Sequence, residues 1–358
     1  MRVGGWKVTF LILLLLLVIS ILVAVSIGSE NLFLPHILRA IISGIPGMSW
    51  AAGEFTWSGP LGSERHFDTL PVGYRTIVLR IRLPVVIMAL FAGAGLSVSG
   101  SSLQGLFKNP LVDPFIIGIS AGGAFGYVIA VMITEGASLW VSQITRILLS
   151  FIFSVGTVFL AYLLSRTGSR VPLTHLLLAG IALSASLTAA TQMLVYLTIE
   201  NPTPIIFSLM GNCSLSRWWE ISIVAPVVIL GTALLSLFGR DLNAFSSGEV
   251  TAKHLGVDTE RSKTAILIVA SLMAAITVPF CGMIGFVGLM VPHIMRRFIG
   301  PDQRYLIPAS ALLGGSFLII CDLVARTLLD VTIPLGIITG LLGGAFFIYL
   351  LRARKVRG

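Results

Sequence analysis

Apolar runs about twenty residues long recur throughout this chain, and they dictate its fold class. The first, "LILLLLLVISILVAVS" from Leu11 to Ser26, holds no charge at all. About 20 apolar residues in a helix cross the hydrocarbon core of a bilayer, where only a helix or a closed barrel satisfies its own backbone. Strands of about ten alternating residues, the mark of a membrane barrel, do not occur. Ten candidate spans can be drawn, at residues 8–28, 84–105, 114–134, 144–165, 174–198, 219–238, 264–281, 283–299, 305–326 and 334–351. The expectation is an all-α polytopic membrane protein, with residues 1–358 forming one transmembrane domain. The N-terminal run is longer than the core of a cleaved signal and reads as a retained first span.

Charge tests that count. Only 11% of residues are charged, so a soluble domain is excluded. The net charge of +9 reads as membrane orientation rather than nucleic-acid binding. An even number of spans puts both termini on one side. With the termini in the cytoplasm, Arg39, Arg65, Arg75, Arg80, Arg82, Arg146, Arg217 and Arg326 fall outside, and the other 16 of the 24 basic residues fall inside. That bias favours cytoplasmic termini, in a bacterial-type inner membrane. Residues 29–83, rich in Gly, Pro and Trp, then form a long extracytoplasmic loop, and 239–263 form a cytoplasmic segment.

Three spans repeat small residues every fourth position: Ala89, Gly93, Ser97, Ser101 and Gly105; Gly118, Gly122, Gly126 and Ala130; and Gly336, Gly340 and Gly344. That spacing keeps them on one helix face and lets backbones approach closely, which association in lipid requires. Generic bundle packing and a tightly packed wall around a pathway both fit.

Sites for chemistry are sparse. Cys213, Cys281 and Cys321 lack metal-ligand spacing and read as small packing residues. No histidine has a second ligand at helical spacing, and no zinc motif or paired-aspartate motif is present. "GVDTERSKT" lacks the second glycine of a phosphate loop, and its Lys263 stands one place late. No nucleotide site and no cofactor are expected. Asp322, the acid nearest to a span's interior, lies four residues before Arg326 and can pair with it.

The segment "SSGEVTAKHLGVDTERSK" (246–263) is polar in a greasy chain. Ser246 and Glu249 have capping-box spacing, Glu249 and Lys253 can pair across a turn, and Val250 can touch Leu255. Gly256 suits a helix end, and Asp258 suits the next helix cap. The residues alone describe a short cytoplasmic helix–turn–helix, either a solvated connector or a docking element.

Several longer segments occur in the order of one known family: "RIRLP" (80–84), "SGSSLQGLFKNPLVDPFIIGISAG" (99–122), "LLLAGIAL" (176–183), "LGVDTERSK" (255–263), "GMIGFVGLMVPHIMRRFIGPDQRYLIPAS" (282–310) and "DLVARTLLDVTIPLGIITGLLGGAFFIYLL" (322–351). Over residues 5–352 the chain resembles the FecCD-type permeases of ABC importers for ferric siderophores, haem and cobalamin. The resemblance implies a homodimer of ten-helix subunits, two cytoplasmic ABC ATPase subunits that hydrolyse ATP for it, and an extracytoplasmic substrate-binding protein. It implies ATPase coupling through Ser246, Gly248, Glu249, Ala252, Leu255 and Gly256. Binding-protein docking would fall to Arg82 and Arg326, with Arg80 replacing an arginine the family often has at Val85. Asn109 and Leu111 of "KNPLVDP", with Thr174, match its cytoplasmic gate, although a plain helix-breaking turn also explains Pro110 and Pro114. Gln303, Thr332 and Ala345 depart from the family's usual residues. An ion-coupled carrier and an intramembrane enzyme are the competing classes.

Overall fold

In the computed structural model, residues 5–28, 37, 48–51, 54–58, 64–67, 73, 76–168, 171–198 and 202–355 are described. Ten longer helices occupy the ten expected spans: α1 (Gly5–Ser26), α2 (Leu83–Phe107), α3 (Ile119–Ile133), α4 (Leu139–Ser165), α5 (Leu173–Thr198), α7 (Trp218–Leu237), α10 (Thr259–Cys281), α11 (Val287–Ile299), α12 (Gln303–Thr327) and α13 (Leu335–Lys355). Three short helices lie between them: α6 (Thr203–Leu209), α8 (Gly239–Ser246) and α9 (Glu249–His254). Seven of the described helices are long and apolar enough to cross a bilayer alone, whereas α3 and α11, at 15 and 13 residues, are shorter. Each short one is preceded by non-α backbone: a 3-10 turn at Pro114–Ile117 before α3, and residues 282–286 before α11.

The segment between α1 and α2 adds a small antiparallel sheet in the order β1 (Met48–Ala51), β2 (Glu54–Ser58), β3 (Glu64–Phe67). Trp50 stands opposite Phe55, and Phe55 opposite Phe67. Much of the remainder of residues 29–75, including His36, Arg39 and Arg75, lies outside the described residues.

α2 is the central post. Twenty of its 25 residues are buried, among them Ser97, Ser99, Gly100 and Ser101. It packs on α12, α10, α11 and α7. A side chain on Gly93 would collide with the backbone of Gly314, and one on Gly100 with that of Gly288. Gly122 and Gly126 likewise lie against the α4 backbone at Phe153 and Leu149. The four-residue spacing on α2 and α3 is therefore bundle packing, as expected. On α13 it divides: Gly336 abuts Met210, whereas Gly340 and Gly344 have nothing within 4 Å. Leu341 and Leu342 beside them are exposed, as are Leu178, Ile181 and Met193 on α5. Part of the α5 and α13 surface is thus uncovered in the protomer.

Candidate functional site

A cavity of about 730 Å³ runs between α3, α5, α6 and the 282–286 break. Its polar lining comprises Ser120, Ser184, Thr188, Thr191, Gln192 and one charged residue, Asp113; the remainder is small or apolar, including Ile116, Met210 and Phe286. The walls offer hydroxyls and methyls, and no cluster of His, Cys, Asp or Glu able to hold a metal occurs among the described residues.

Sequence reasoning placed residues 199–218 in a loop and missed α6, whose Ile206 and Leu209 line this cavity. The signal was present in "PTPIIFSLMG": prolines open a helix and glycine closes it. Gly211, at φ +88°, ends the segment, which turns back so that Gly211 and Met210 carbonyls accept from Leu335 and Gly336 N–H at 2.7 and 3.0 Å. Phe286 is held at φ +67°, a left-handed conformation costly for an aromatic residue.

At its C-terminal end, α2 stops at Lys108 in left-handed geometry. The Leu111 N–H donates to the Asn109 side chain at 3.0 Å, closing a turn that leaves Asn109 and Leu111 exposed. Thr174 is exposed on the first turn of α5. Asp113 caps the following 3-10 turn by accepting from Phe115 N–H at 2.9 Å. Gln104, a residue sequence reasoning passed over, braces this region: its Nε2 donates to the carbonyls of Gly288, Leu289 and Val112 at 3.2–3.4 Å, and its Oε1 accepts from Arg296 at 3.2 Å. Gln303 accepts from Ser101 at 3.1 Å.

Burial pushes the Asp113 carboxyl up to about 6, against the opposing pull of the Phe115 N–H. A folded-state value above the unfolded one means that protonation favours the fold. Stability is therefore expected to rise by about 2 kcal/mol as pH falls from 7 to 4, through the window between about 6 and the unfolded value of 3.8. Thermal melts of the detergent-solubilised wild type and D113N, compared across that window, check this; the difference between them should depend on pH.

The segment at residues 239–263 differs from expectation in its details. Ser246 ends α8 and donates to Asn243 O at 2.6 Å; it does not cap α9. Gly248, at φ +125°, is the residue before α9, and no side chain caps that helix. Glu249 pairs with Lys263 at 2.6 Å rather than with Lys253, and Glu260 meets the same ammonium at 2.9 Å. Lys263 is buried, and a buried cation recruits carboxylates more strongly than an exposed one does. Ala252 is fully buried, whereas Val250 and Leu255 are 72% and 68% exposed. Gly256, at φ +86°, ends α9, and Asp258 caps α10 through Arg261 N–H at 3.3 Å, both as expected.

α8, also missed from sequence, buries Leu242 and Phe245 and anchors the segment to the bundle. Asn243 donates to Asp302 at 2.7 Å and accepts from Gln303 N–H at 2.9 Å, and Asp241 accepts from Ser262 at 2.6 Å. Arg304 and Asn243 hold Asp302 down at about 2. This stabilisation is complete above the unfolded value and fades as pH falls from about 4 to 2. The result is a firmly seated base presenting Ser246, Glu249, Leu255 and Gly256 outward.

Arg82 is buried, and its Nη1 donates to the Val25 and Ser26 carbonyls at 2.8 and 3.1 Å. It caps the C-terminus of α1, where a cation meets the helix dipole. Arg326 pairs with Asp322 at 2.8 Å, the ion pair expected from the four-residue spacing. Of the three candidate docking arginines, Arg80 alone is exposed.

The model of the FecCD transport family matches residues 13–353. The chain belongs to that family. It is similar to the cobalamin import system permease BtuC of Halobacterium salinarum, at 39% identity over 93% of this chain and 87% of that one. The hemin transport system permease HmuU of Yersinia pestis is 38% identical over 78% and 85% of the two chains. A solved structure described as an inward-facing conformation of a metal-chelate type ABC transporter superposes with a TM-score of 0.77, at 32% identity, covering 97% of this chain and 99% of that one. The chain is accordingly a multi-pass permease of the ABC importer class, a family in which separate ATPase subunits hydrolyse ATP.

Proposed function

We propose that this chain is the homodimeric transmembrane subunit of a binding-protein-dependent importer that moves a metal chelate, foremost a ferric siderophore or other iron complex, across the cytoplasmic membrane. The cavity carries this reading: about 730 Å³ of mostly small and apolar wall with a single carboxylate suits a bulky cargo that is passed along rather than gripped. The uncovered faces of α5 and α13, with Gly340 and Gly344 open, fit a two-fold partner that closes the pathway. Two cytoplasmic ATPases would seat on Ser246, Gly248, Glu249, Leu255 and Gly256, with the fully buried Ala252 packed beneath them rather than in the contact, and with both termini on their side of the membrane. An extracytoplasmic binding protein would deliver cargo, its carboxylates meeting Arg80 first. Arg82 and Arg326 become available only if their present partners are exchanged. Asn109, Leu111 and Thr174 would narrow the cytoplasmic mouth.

A second reading, cobalamin as the cargo, is favoured by the Halobacterium relative, which is named a cobalamin import permease. Haem and molybdate fit relatives at 38% and 34% identity. Proteoliposomes holding the permease, its ATPases and its binding protein decide among them. ATP-dependent uptake of an iron chelate, with cobalamin, haem and molybdate excluded, is the expected result. Uptake driven by an ion gradient without ATPases would make the protein a secondary carrier instead. A tenfold preference for cobalamin would move the assignment to the second reading.

A further inference from the structure

Cys213 and Cys281 lie 68 positions apart in sequence, yet their sulfurs are 3.0 Å apart. Both are buried, at 1% and 0% exposure. Cys213 stands in the turn that leads from α6 to α7, and Cys281 is the last residue of α10.

The backbone, not the thiols, brings them together. Asn212 N–H donates to Cys281 O at 2.9 Å, and Met283 N–H donates to Leu209 O at 3.2 Å, so the two segments pair directly beside the cysteines. Gly211 and Gly282, at φ +88° and +68°, bend toward each other so closely that a side chain on Gly282 would press on Gly211. Residues 209–213 are also bonded on their other side to Leu335 and Gly336. Two side chains fixed this way by independent backbone contacts need only a small rotation to bond.

We infer that Cys213 and Cys281 are a disulfide site, joined during assembly on the extracytoplasmic side. Both thiols sit at the outer end of the bundle in the orientation with cytoplasmic termini, where disulfides persist. The partner thiol and burial hold Cys213 well above its usual pKa, so it is a poor nucleophile once enclosed. The bond therefore forms before the turn closes, by thiol–disulfide exchange. One thiolate attacks an oxidised protein dithiol oxidant, and the second displaces that oxidant as a dithiol. Both S–H bonds break, one S–S bond forms, and the two electrons with two protons leave on the reduced oxidant. The bond staples the turn after α6, a wall of the cargo cavity, to the break between α10 and α11. It binds together two stretches of non-helical backbone.

Cys321, buried on α12, serves as an internal control. Protein is acid-quenched from membranes, unfolded, and treated with a maleimide polymer before and after reduction. One adduct before reduction and three afterwards, on a monomer-sized band, is the expected result. Three adducts before reduction, or a crosslinked dimer, overturns the proposal and leaves a packed thiol pair. A C213A/C281A double variant of the full chain, still assembled by size exclusion, should melt at the same temperature with and without reductant. The wild type should melt lower when reduced, and equal loss in both would also overturn the bond. A C-terminal topology reporter separates an inverted orientation from a failure of the thiols to pair.

Discussion

Gly248→Pro is expected to abolish ATP-driven transport and to reduce co-purification of the ATPase subunits at least tenfold. Three separate requirements fail at that position. The backbone sits at φ +125°, and proline is locked near −65°. The Gly248 N–H donates to Phe245 O at 3.0 Å, and proline has no such donor. Ser247 before it is in the right-handed helical region, which a following proline disfavours. Together these cost on the order of 3 kcal/mol locally, enough to reorient α9. Membrane insertion should survive, because α8 and α10 are anchored by Leu242, Phe245, Asn243 and Ser262 without reference to Gly248. Gly248→Ala violates only the φ requirement and should fall between wild type and proline. Wild-type co-purification by G248P in detergent would refute the coupling role of this turn.

That segment also shows where sequence reasoning reached and where it stopped. Gly256 and Asp258 were readable because a left-handed glycine and an aspartate cap act on their immediate neighbours. Ser246 misled because its spacing to Glu249 is right for a capping box while a second helix, α8, already claims it. α8 was legible in principle from Leu242 and Phe245 at i,i+3, but eight residues give too short a pattern to stand out between long apolar spans. Glu249 chose Lys263 over Lys253 for a tertiary reason: the fold buries Lys263, and no local spacing reveals burial of a charge. E249Q is expected to loosen α9 by about 1 kcal/mol, because Glu260 still partners the ammonium; faster hydrogen exchange confined to residues 249–254 checks it.

The ten spans were legible because hydrophobic length is a property of the segment alone. What escaped was the interruption of that pattern: the return of α6 into the bundle and the shortness of α3 and α11. These depend on who supplies the missing backbone partners, and the suppliers (Gln104 for Gly288 and Leu289, Leu209 for Met283) are distant in sequence. The candidate docking arginines show the same limit. The charge count set only an expected side for them, and the commitment of Arg82 to the end of α1 was not legible.

The largest effect on folding is expected at Gly100. Some core glycines, such as Gly105 and Gly231, face flexible side chains that can turn aside, but here every nearest atom is backbone of Gly288: its carbonyl oxygen, carbonyl carbon and Cα. A methyl group at Gly100 must therefore separate α2 from α11 as whole helices. Separation would not stop at that contact, because Gln104, one turn later, holds the Gly288 and Leu289 carbonyls, the Val112 carbonyl after the Asn109–Leu111 turn, and Arg296. Opening the interface leaves these groups unpaired in a dry interior, each costing about 1–3 kcal/mol on top of the overpacking strain of similar size. Gly100→Ala should lower the melting temperature sharply, and Gly100→Leu should leave no monodisperse protein in fluorescence-detected size exclusion. Gly156 on α4 is the control, since nothing lies within 4 Å of a side chain there. Gly156→Leu should express and melt like wild type. If G100A and G156L melt alike, the close approach of α2 and α11 is not what holds the bundle together.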